Sequence, residues 1–313
     1  AAAGLAAVSA GVSSKKAESV DAAIVPASGK YAYLELVNDY NWDKDGAAIK
    51  CWDGHNDVSA SKVNVYYSGT DTYSVFRATI DNDASAICWK RMSGSTQWNY
   101  ANATFGSTNH FKLNDWNSCE NVGVICYFDK DTISGGDVTL KYGSTDLYGK
   151  EFESKMGSSS GTQVKIVATA NTGYTYKNVT LGGTEKFTNT EMGYHSGWQI
   201  GDNFGWFGKI GGTFEANTYT VTLNKNNGTG GDNSVTATYG AAMPSATMPT
   251  RTGYTFAGYF DDLSAGNKYY NADGSSANNW NKASTATLYA HWSPNTDTAY
   301  TVNHKQQKAD LSG

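Results

Sequence analysis

Short runs of alternating apolar and polar residues, separated by turn-forming Asn, Asp, Gly and Ser, constrain the fold of this chain more than any other feature. In Tyr73 to Ile80 the apolar residues Phe76, Ala78 and Ile80 fall on every second position. A period of two places successive side chains on opposite faces of a strand. Further runs of this kind are YAYLELV, AAIKCW, KVNVYY, AICWKRM, HFKLNDW and VGVICYF. The pattern predicts an all-β chain that begins with an antiparallel β-sandwich.

The length of 313 residues exceeds what one small core usually holds, so several domains are expected. We predict tandem small β domains. The predicted boundaries are a leader over 1–28, a β-sandwich over 29–130, a second small β domain over 131–216, a third domain over 217–294 and a tail over 295–313.

The composition and the charge limit the classes of partner. Charged residues make up 17%, and Tyr (21) plus Trp (9) outnumber Phe (11), which is typical of β-rich secreted proteins that expose amphipathic rings. A net charge of -5 removes the electrostatic basis for binding nucleic acid or an anionic membrane. The partner that we expect, on the motifs and resemblances described below, is a polysaccharide or a host surface glycoprotein.

The N-terminal run AAAGLAAVSAGVSS is apolar but too short to span a bilayer. We interpret residues 1–28 as the remnant of a signal peptide with its cleavage region, and the alternative is a flexible Ala/Ser/Gly leader. The Met and basic residues of a full signal are missing, so we expect a fragment. No other run approaches membrane length, which predicts a protein that is secreted or attached to the cell surface or cell wall, without membrane insertion in this fragment.

All four cysteines lie in the first predicted sandwich, at Cys51, Cys88, Cys119 and Cys126. They allow three disulfide connectivities, and neither a CxxC motif nor a zinc-like His/Cys spacing is present. In an oxidising compartment Cys119 could pair with Cys126 and Cys51 with Cys88. Buried free thiols are the alternative, because free Cys packs as a small hydrophobe.

The stretch ICWKRMSGSTQW, from Ile87 to Trp98, predicts a surface that binds sugar. A pyranose packs its C–H face on an aromatic ring while its hydroxyls need amide and cationic partners around the ring. The candidate contact residues are Trp42, Lys50, Trp52, Trp89, Lys90, Arg91, Gln97, Trp98 and Tyr100.

Alternation also bears on which of these side chains face solvent. In Ala47 to Trp52, Lys50 and Trp52 point outward if Ile49 belongs to the core. The alternative for each ring is a structural role, in which Ile87 to Met92 is a core strand and Trp98 covers it.

Several motifs, taken in order between residues 31 and 129, resemble family 26 carbohydrate-binding modules. They are NWDKDGAAIKCW, TYSVFRATI, AICWKRM, QWNYANATF and NHFKLNDWN. These modules are starch-binding sandwiches attached to secreted amylases and gut-bacterial surface proteins. The resemblance implies a non-catalytic module that binds α-glucan through a few rings and polar side chains. The family's strand of alternating aromatics falls on Ala48 to Trp52, where only Trp52 keeps a ring, and the next expected Trp is absent from HNDVSASKV.

The second segment also alternates, in GDVTLKYG and GTQVKIVATANTGYTYKNVTL, and the latter run is similar to repeats of bacterial surface proteins. A later glycine-rich stretch concentrates rings that predict either a small core, which we favour, or a second ligand platform. Those rings are Tyr194, Trp198, Phe204, Trp206 and Phe207. The formal GxSxG match at 157–161 lacks the strand-to-helix context of a hydrolase and indicates a Ser/Gly loop.

The third segment carries YTVTLNKNNGTGG, MPTRTGYTFAGYF and ATLYAHW, which resemble the Listeria/Bacteroides (internalin B-type) repeat over 217–294. The resemblance implies a β-grasp-like fold that serves as a spacer or interaction module. Tyr269, Tyr270 and Trp280 are then expected in the core rather than facing solvent. The final AYTVNHKQQ resembles the start of a mucin-binding-protein repeat, over 299–313.

Motifs for catalysis and metal binding are absent from the sequence. Five histidines are scattered over the segments, and no HExxH or phosphate-binding GxxxxGK occurs. Carboxylate pairs such as Glu151/Glu153 and Asp261/Asp262 are close in sequence only. The run NWDKDG, from Asn41 to Gly46, is similar to the start of a calcium loop but lacks its Glu, so an ordinary turn is the favoured alternative. We expect no cofactor, no metal and no enzyme activity in this chain.

The sequence thus predicts a non-catalytic part of an exported bacterial multidomain protein that binds starch-like α-glucan through its first sandwich. One alternative is a cell-surface adhesin or stalk that contacts host protein or mucin. Another is the accessory region of a secreted glycoside hydrolase whose catalytic domain lies outside this sequence.

Overall fold

The computed structural model of the chain describes residues 29–37, 42–67, 71–156, 162–193, 200, 204–297 and 301–302. The structure is nearly all β and consists of several multi-strand sheets, which confirms the predicted fold class of tandem small β domains. The predicted leader, the 157–161 loop and most of the tail lie outside the described residues. Among the described residues, no helix has the length and apolar character needed to cross a bilayer.

The strands follow one another along the whole chain. The first ten are β1 Lys30–Glu35, β2 Ala48–Trp52, β3 Asp57–Ser59, β4 Ser61–Tyr67, β5 Asp71–Ile80, β6 Ala86–Ser93, β7 Thr96–Thr104, β8 His110–Asp115, β9 Ser118–Gly123 and β10 Ile125–Lys130. The next eight are β11 Gly136–Tyr142, β12 Thr145–Asp146, β13 Glu151–Glu153, β14 Val164–Ala170, β15 Tyr174–Leu181, β16 Thr184–Phe187, β17 Glu191–Gly193 and β18 Phe207–Ala216. The last five are β19 Thr218–Asn224, β20 Ser234–Thr238, β21 Tyr254–Phe260, β22 Lys268–Tyr270 and β23 Ala286–Pro294.

Two compact units make up the chain. Unit 1 comprises residues 1–132, 138–167 and 179–211, and unit 2 comprises residues 133–137, 168–178 and 212–313. The boundaries at 130 and 216 drawn from the sequence stay a prediction.

Strands from two sheets contribute to the main core of unit 1. One has the strand order β3-β2-β6-β7, and the other, of ten strands, has the order β16-β15-β18-β10-β13-β4-β5-β1-β8-β9. The apolar residues of β1, β5 and β8 pack against those of β2, β6 and β7, as alternation requires. The core includes Leu34, Ala78, Phe111, Ile49, Cys51, Ile87, Trp89 and Ala101.

The larger sheet contains parallel pairs that alternation alone does not reveal. Strand β1 pairs parallel with β8, β13 with β4, and β10 with β18. The side chain of Asn109, just before β8, connects this strand to the start of β10. Its Nδ2 donates to the Ile125 carbonyl at 2.9 Å, and its Oδ1 accepts from the Ile125 amide at 2.8 Å. Because Asn109 is fully buried, these bonds satisfy groups that water does not reach.

The four cysteines are free thiols, and neither disulfide considered from the sequence is formed. In the β2–β6 ladder Cys51 lies opposite Trp89 while Cys88 lies opposite Trp52, so the two thiols project to opposite faces. Five strands separate β9, which carries Cys119, from β10, which carries Cys126. The buried-thiol alternative holds for Cys51 and Cys126.

A smaller sheet with the order β12-β11-β14-β17 follows the first sandwich along the chain. Among the rings predicted for this region, Phe204 is buried and packs against Phe128 and Phe187, with centroids 5.6 and 6.1 Å away. Trp206 packs edge-on against Phe105 at 5.8 Å. These rings are packed, but against Phe105 and Phe128 of the first sandwich rather than in a separate core of the second segment, while Tyr194 and Trp198 lie outside the described residues.

In unit 2 a five-stranded sheet has the order β20-β19-β23-β21-β22. Its core contains Tyr269, Tyr270 and Trp280, whose side chains are essentially inaccessible to solvent, as expected. Gly258 has φ +134°, and a Cβ there would collide with the Tyr270 carbonyl oxygen, so the GYTFAGYF motif needs a glycine at this position.

Candidate functional site

The outer face of the sheet β3-β2-β6-β7 carries several of the predicted contact residues. The register aligns Trp52, Cys88 and Asn102 in one row, and Lys50, Lys90 and Tyr100 in the next. Ile49 and Cys51 project to the core instead, so Lys50 and Trp52 face outward as alternation predicts. The sheet thus combines rings, ammonium groups and an amide on one side.

Rings on this side are open to solvent. Trp52 is 38% exposed and Tyr100 is 47% exposed, while most large apolar side chains of the unit are buried. The neighbouring Lys90 is fixed by its Asp57 partner, with Nζ 2.6 Å from Oδ1. A fixed cation and free rings are features that suit a neutral hydroxylated ligand.

A surface depression of about 410 Å³ adjoins Trp52. Its lining residues are Trp52, Ala86, Ile87, Asn102, Ala103, Thr104, Cys119 and Asn121. Asn102 and Asn121 offer amides, and the indole of Trp52 offers an apolar wall. Burial raises the pKa of the Cys119 thiol to about 11, so this group stays protonated at neutral pH. The depression therefore presents a neutral surface to a ligand.

Two predicted contact rings belong to the interior. Trp42 and Trp89 are fully buried within the sandwich core. An indole enclosed on all sides cannot stack on a polymer, so the structural alternative applies to both and we no longer propose them as contacts.

Arg91 is also buried rather than displayed. Its Nε donates to the Trp42 carbonyl at 2.9 Å, and its Nη2 donates to the Lys44 carbonyl at 3.2 Å. A guanidinium held in this way positions its neighbours and is not available as a donor to a bound polymer.

Trp98 occupies an irregular position in β7. The ladder pairs Arg91 with Asn99 and Met92 with Gln97, which leaves Trp98 as the extra residue of a β-bulge. The indole lies against the Arg91 guanidinium, with 4.6 Å between Cζ and the ring centroid, and remains 45% exposed. Gln97 beside it is exposed.

Sequence reasoning missed Trp116, in the turn between β8 and β9. This ring is 39% exposed, and its centroid is 5.7 Å from the Arg91 Cζ. Alternation does not place a turn residue, and the surrounding NDWN was the only signal. Asn102 was also missed, although a period of two from Tyr100 would have found it.

The run from Asn41 to Gly46 forms a turn in its described part. Lys44–Gly46 is a single 3-10 turn, and Asn41 lies outside the described residues. Asp43 is 3.7 Å from the Lys62 ammonium, and Asp45 is 3.5 Å from the Arg91 guanidinium. These carboxylates pair with cations of the protein, which agrees with the favoured turn interpretation.

Asp53, His55 and Asp81 form the group of potential metal ligands that the described residues contain, with ligand atoms within 4.8 Å of one another. Asp53 accepts from the amides of His55 and Asn56 through Oδ1 and from the Asp81 amide through Oδ2. Burial opposes ionisation of Asp53, but these donors outweigh it and lower the pKa of the carboxyl. The Asp53 carboxylate oxygens thus already accept hydrogen bonds from backbone amides of a turn.

The carboxylate pairs considered from the sequence are also engaged within the protein. Glu151 pairs with Arg77 at 2.7 Å, and Glu153 accepts from the Tyr73 hydroxyl at 2.6 Å. In unit 2 Asp261 pairs with Lys282 at 3.0 Å, and Asp262 accepts from the Ser264 amide at 2.9 Å.

Comparison with known proteins bears on unit 2. Residues 219–291 match the family model of the Listeria-Bacteroides repeat domain. The repeat predicted over 217–294 is therefore confirmed, and such repeats are typical of surface or extracellular proteins. The resemblances of 31–129 to a starch-binding module and of 299–313 to a mucin-binding repeat stay predictions.

No curated protein matches the chain. Among solved structures, the chain is similar to the Bacillus anthracis TIE protein, with 11% identity over 85% of this chain and 51% of the other. The chain spans about half the length of that protein. With a TM-score of 0.22 this likeness carries no argument about fold or function.

Proposed function

We propose that this chain is a non-catalytic part of an exported multidomain protein and that unit 1 binds a starch-like α-glucan. The observation that carries the proposal is the joint exposure of Trp52 and Tyr100 on the outer face of one sheet, beside an amide-lined depression. An exposed cluster of large rings on an otherwise polar surface marks a binding site more often than it marks chance.

Each feature of this face corresponds to one part of a pyranose. The rings of Trp52 and Tyr100 offer flat apolar surfaces to its C–H groups. Asn102 and Asn121 offer carboxamides, which both donate to and accept from hydroxyls. No buried charge needs to be desolvated for such a ligand to dock.

The role proposed for unit 2 is that of a spacer. The Listeria-Bacteroides repeat at 219–291 supports this role, because such repeats are typical of surface or extracellular multidomain proteins. The rings of Tyr259, Tyr269, Tyr270 and Trp280 are buried in the core of unit 2. We therefore assign the glucan contacts to unit 1. The alternative of an adhesin, in which the repeats contact host protein or mucin, rests on the same match.

Affinity electrophoresis of the full chain, in gels containing amylopectin, dextran or no polymer, tests this function. We expect retardation by amylopectin alone. Trp52→Ala should raise the apparent Kd for amylopectin about tenfold or more, as loss of a central aromatic contact does. The matched control is Leu263→Ala, which removes an exposed apolar side chain of unit 2 and should migrate like the unmodified chain. Equal mobility of the unmodified chain in all three gels would refute glucan binding and favour the adhesin.

A further inference from the structure

The pair of exposed indoles at Trp98 and Trp116 is held together by one buried cation. The Arg91 guanidinium lies 4.6 Å from the first ring centroid and 5.7 Å from the second. Two backbone carbonyls fix Arg91 itself, those of Trp42 and Lys44. Because cation–π contact adds to this anchoring, both rings keep defined positions before any ligand arrives. We call Trp98, Arg91 and Trp116 the indole patch.

Polar contacts fix the turn that carries Trp116. The Asn117 amide donates to Asp115 Oδ1 at 2.7 Å, and Ser118 Oγ donates to Asn114 Oδ1 at 2.7 Å. Asn99 Nδ2 donates to Asn117 Oδ1 at 3.3 Å and so connects β7 to this turn. The surface that the patch offers is thus built from strand and turn together.

The chemistry of the patch selects a neutral ligand with apolar faces and hydroxyl groups. Its cation is only 8% exposed and is engaged by backbone oxygens, so an anion gains little there. The groups that remain accessible are the two indoles and the neighbouring side-chain carboxamides of Gln97, Asn99 and Asn117. A sugar polymer meets both requirements, through its C–H faces and its hydroxyls.

The patch lies some distance from the depression beside Trp52. Trp98 and Asn102 are four residue steps apart along β7, which corresponds to about 13 Å of strand. Arg91 lies opposite the core-facing Ile49, whereas Trp52 points outward, so a single ligand that contacts both places must be long enough to pass the edge between them.

We propose that the indole patch is a second polysaccharide-contacting surface, which makes the affinity of unit 1 depend on the length of the glucan chain. This inference rests on the proposed function. Trp116 and Trp98 contact the ligand, while Arg91 is a positioning residue that holds the two rings. Two linked contacts raise the affinity for a long ligand above that for a short one without changing the short-ligand site.

Isothermal titration calorimetry of the full chain with maltotriose and maltoheptaose tests the proposal. We expect the unmodified chain to bind maltoheptaose roughly tenfold more tightly than maltotriose. Trp116→Ala should keep the maltotriose affinity and reduce this ratio to about two or less. Trp52→Ala should instead weaken both ligands, and Leu263→Ala should change neither.

The outcomes separate this inference from the proposed function. Unchanged maltoheptaose binding by Trp116→Ala overturns the second surface and leaves glucan binding intact. Equal losses for both sugars overturn it as well, because Trp116 would then belong to a single site. Absence of binding by the unmodified chain ends both proposals. Trp116→Phe, which keeps a smaller ring, carries the test if the melting temperature shows that Trp116→Ala is not folded, and it should give an intermediate ratio.

Discussion

The two units use the same kinds of aromatic residue in opposite ways. In unit 2 Tyr259, Tyr269, Tyr270 and Trp280 are essentially inaccessible and belong to the core. In unit 1 Trp52, Trp98, Tyr100 and Trp116 remain exposed although the unit has an aliphatic and aromatic core of its own. A small sheet domain that is short of Leu and Ile must bury its rings to be stable, whereas a larger sandwich can display some of them.

The units differ in a second respect. The described buried polar and charged residues, Asp53, Arg77, Arg91, Asn109, His110, Glu151 and Ser154, belong to unit 1. In the larger sheets of unit 1 some polar side chains point into the interior. A polar group that is buried in this way needs a hydrogen-bond partner. The described part of the repeat buries no polar or charged residue of this kind, although the Tyr259 hydroxyl and Trp280 Nε1 are enclosed in its core without a hydrogen-bond partner.

The largest effect is expected at the centre of the unit 2 core. Trp280→Ala should lower the free energy of unfolding of unit 2 by about 3–5 kcal/mol, because it removes a fully buried ring and leaves a cavity. Amylopectin retardation should be unaffected. Thermal unfolding with Leu263→Ala as the control checks this expectation, and a wild-type melting temperature would contradict the assignment of Trp280 to the core.

A loss of similar size is expected when the buried ion pair of unit 1 is broken. Arg77→Met leaves the Glu151 carboxylate buried without its cation, which typically costs about 3–5 kcal/mol. Denaturant unfolding of Arg77→Met beside Lys165→Met, which removes one half of the exposed Lys165–Glu191 pair, measures the difference. The exposed pair should contribute less than about 1 kcal/mol. Equal effects of the two substitutions would contradict the distinction between the buried pair and the exposed pair of unit 1.

Substituting one tyrosine in each unit compares an exposed ring with a buried ring. Tyr100→Ala should weaken amylopectin binding about fivefold to tenfold and change the free energy of unfolding by less than about 0.5 kcal/mol, since the ring is exposed. Tyr269→Ala should do the reverse, with stability lost and the glucan affinity kept. Affinity electrophoresis and calorimetry on both variants provide the check, and loss of stability in Tyr100→Ala would place that ring in the fold rather than in the site.

The smallest effect is expected at the Asp53 turn. The pKa of Asp53 is lowered in the folded chain, so its stabilising contribution is present above the ordinary Asp pKa of about 3.9 and is lost as the pH falls through the lowered value. The backbone amides of His55 and Asn56 should therefore be less protected from hydrogen exchange at acidic pH than at neutral pH. Asp53→Ala should remove the dependence, and identical exchange in both proteins at neutral pH would contradict the role of this carboxylate.

Much of the fold could be predicted from local pattern. The alternation in Ala47 to Trp52 and in Tyr73 to Ile80 marked strands, and it oriented Lys50 and Trp52 correctly. The parallel pairing of β1 with β8 could not be found in this way, because alternation is the same for either direction of the neighbouring strand.

The candidate site was only partly accessible from the sequence. Nine contact residues were proposed on residue type, and type does not tell a core indole such as Trp89 from a displayed one such as Trp52. The bulge at Trp98 and the turn at Trp116 interrupt the period of two, so no pattern brought these rings together.

The sequence by itself determined the β class, because alternation is a local property, and it identified the repeat at 219–291 through the resemblance of its motifs to known repeats. The tertiary structure alone decided which rings are buried, which thiols lie apart and where Arg91 holds two indoles. These properties depend on contacts between strands far apart in the chain, and such contacts leave no trace in the spacing of neighbouring residues.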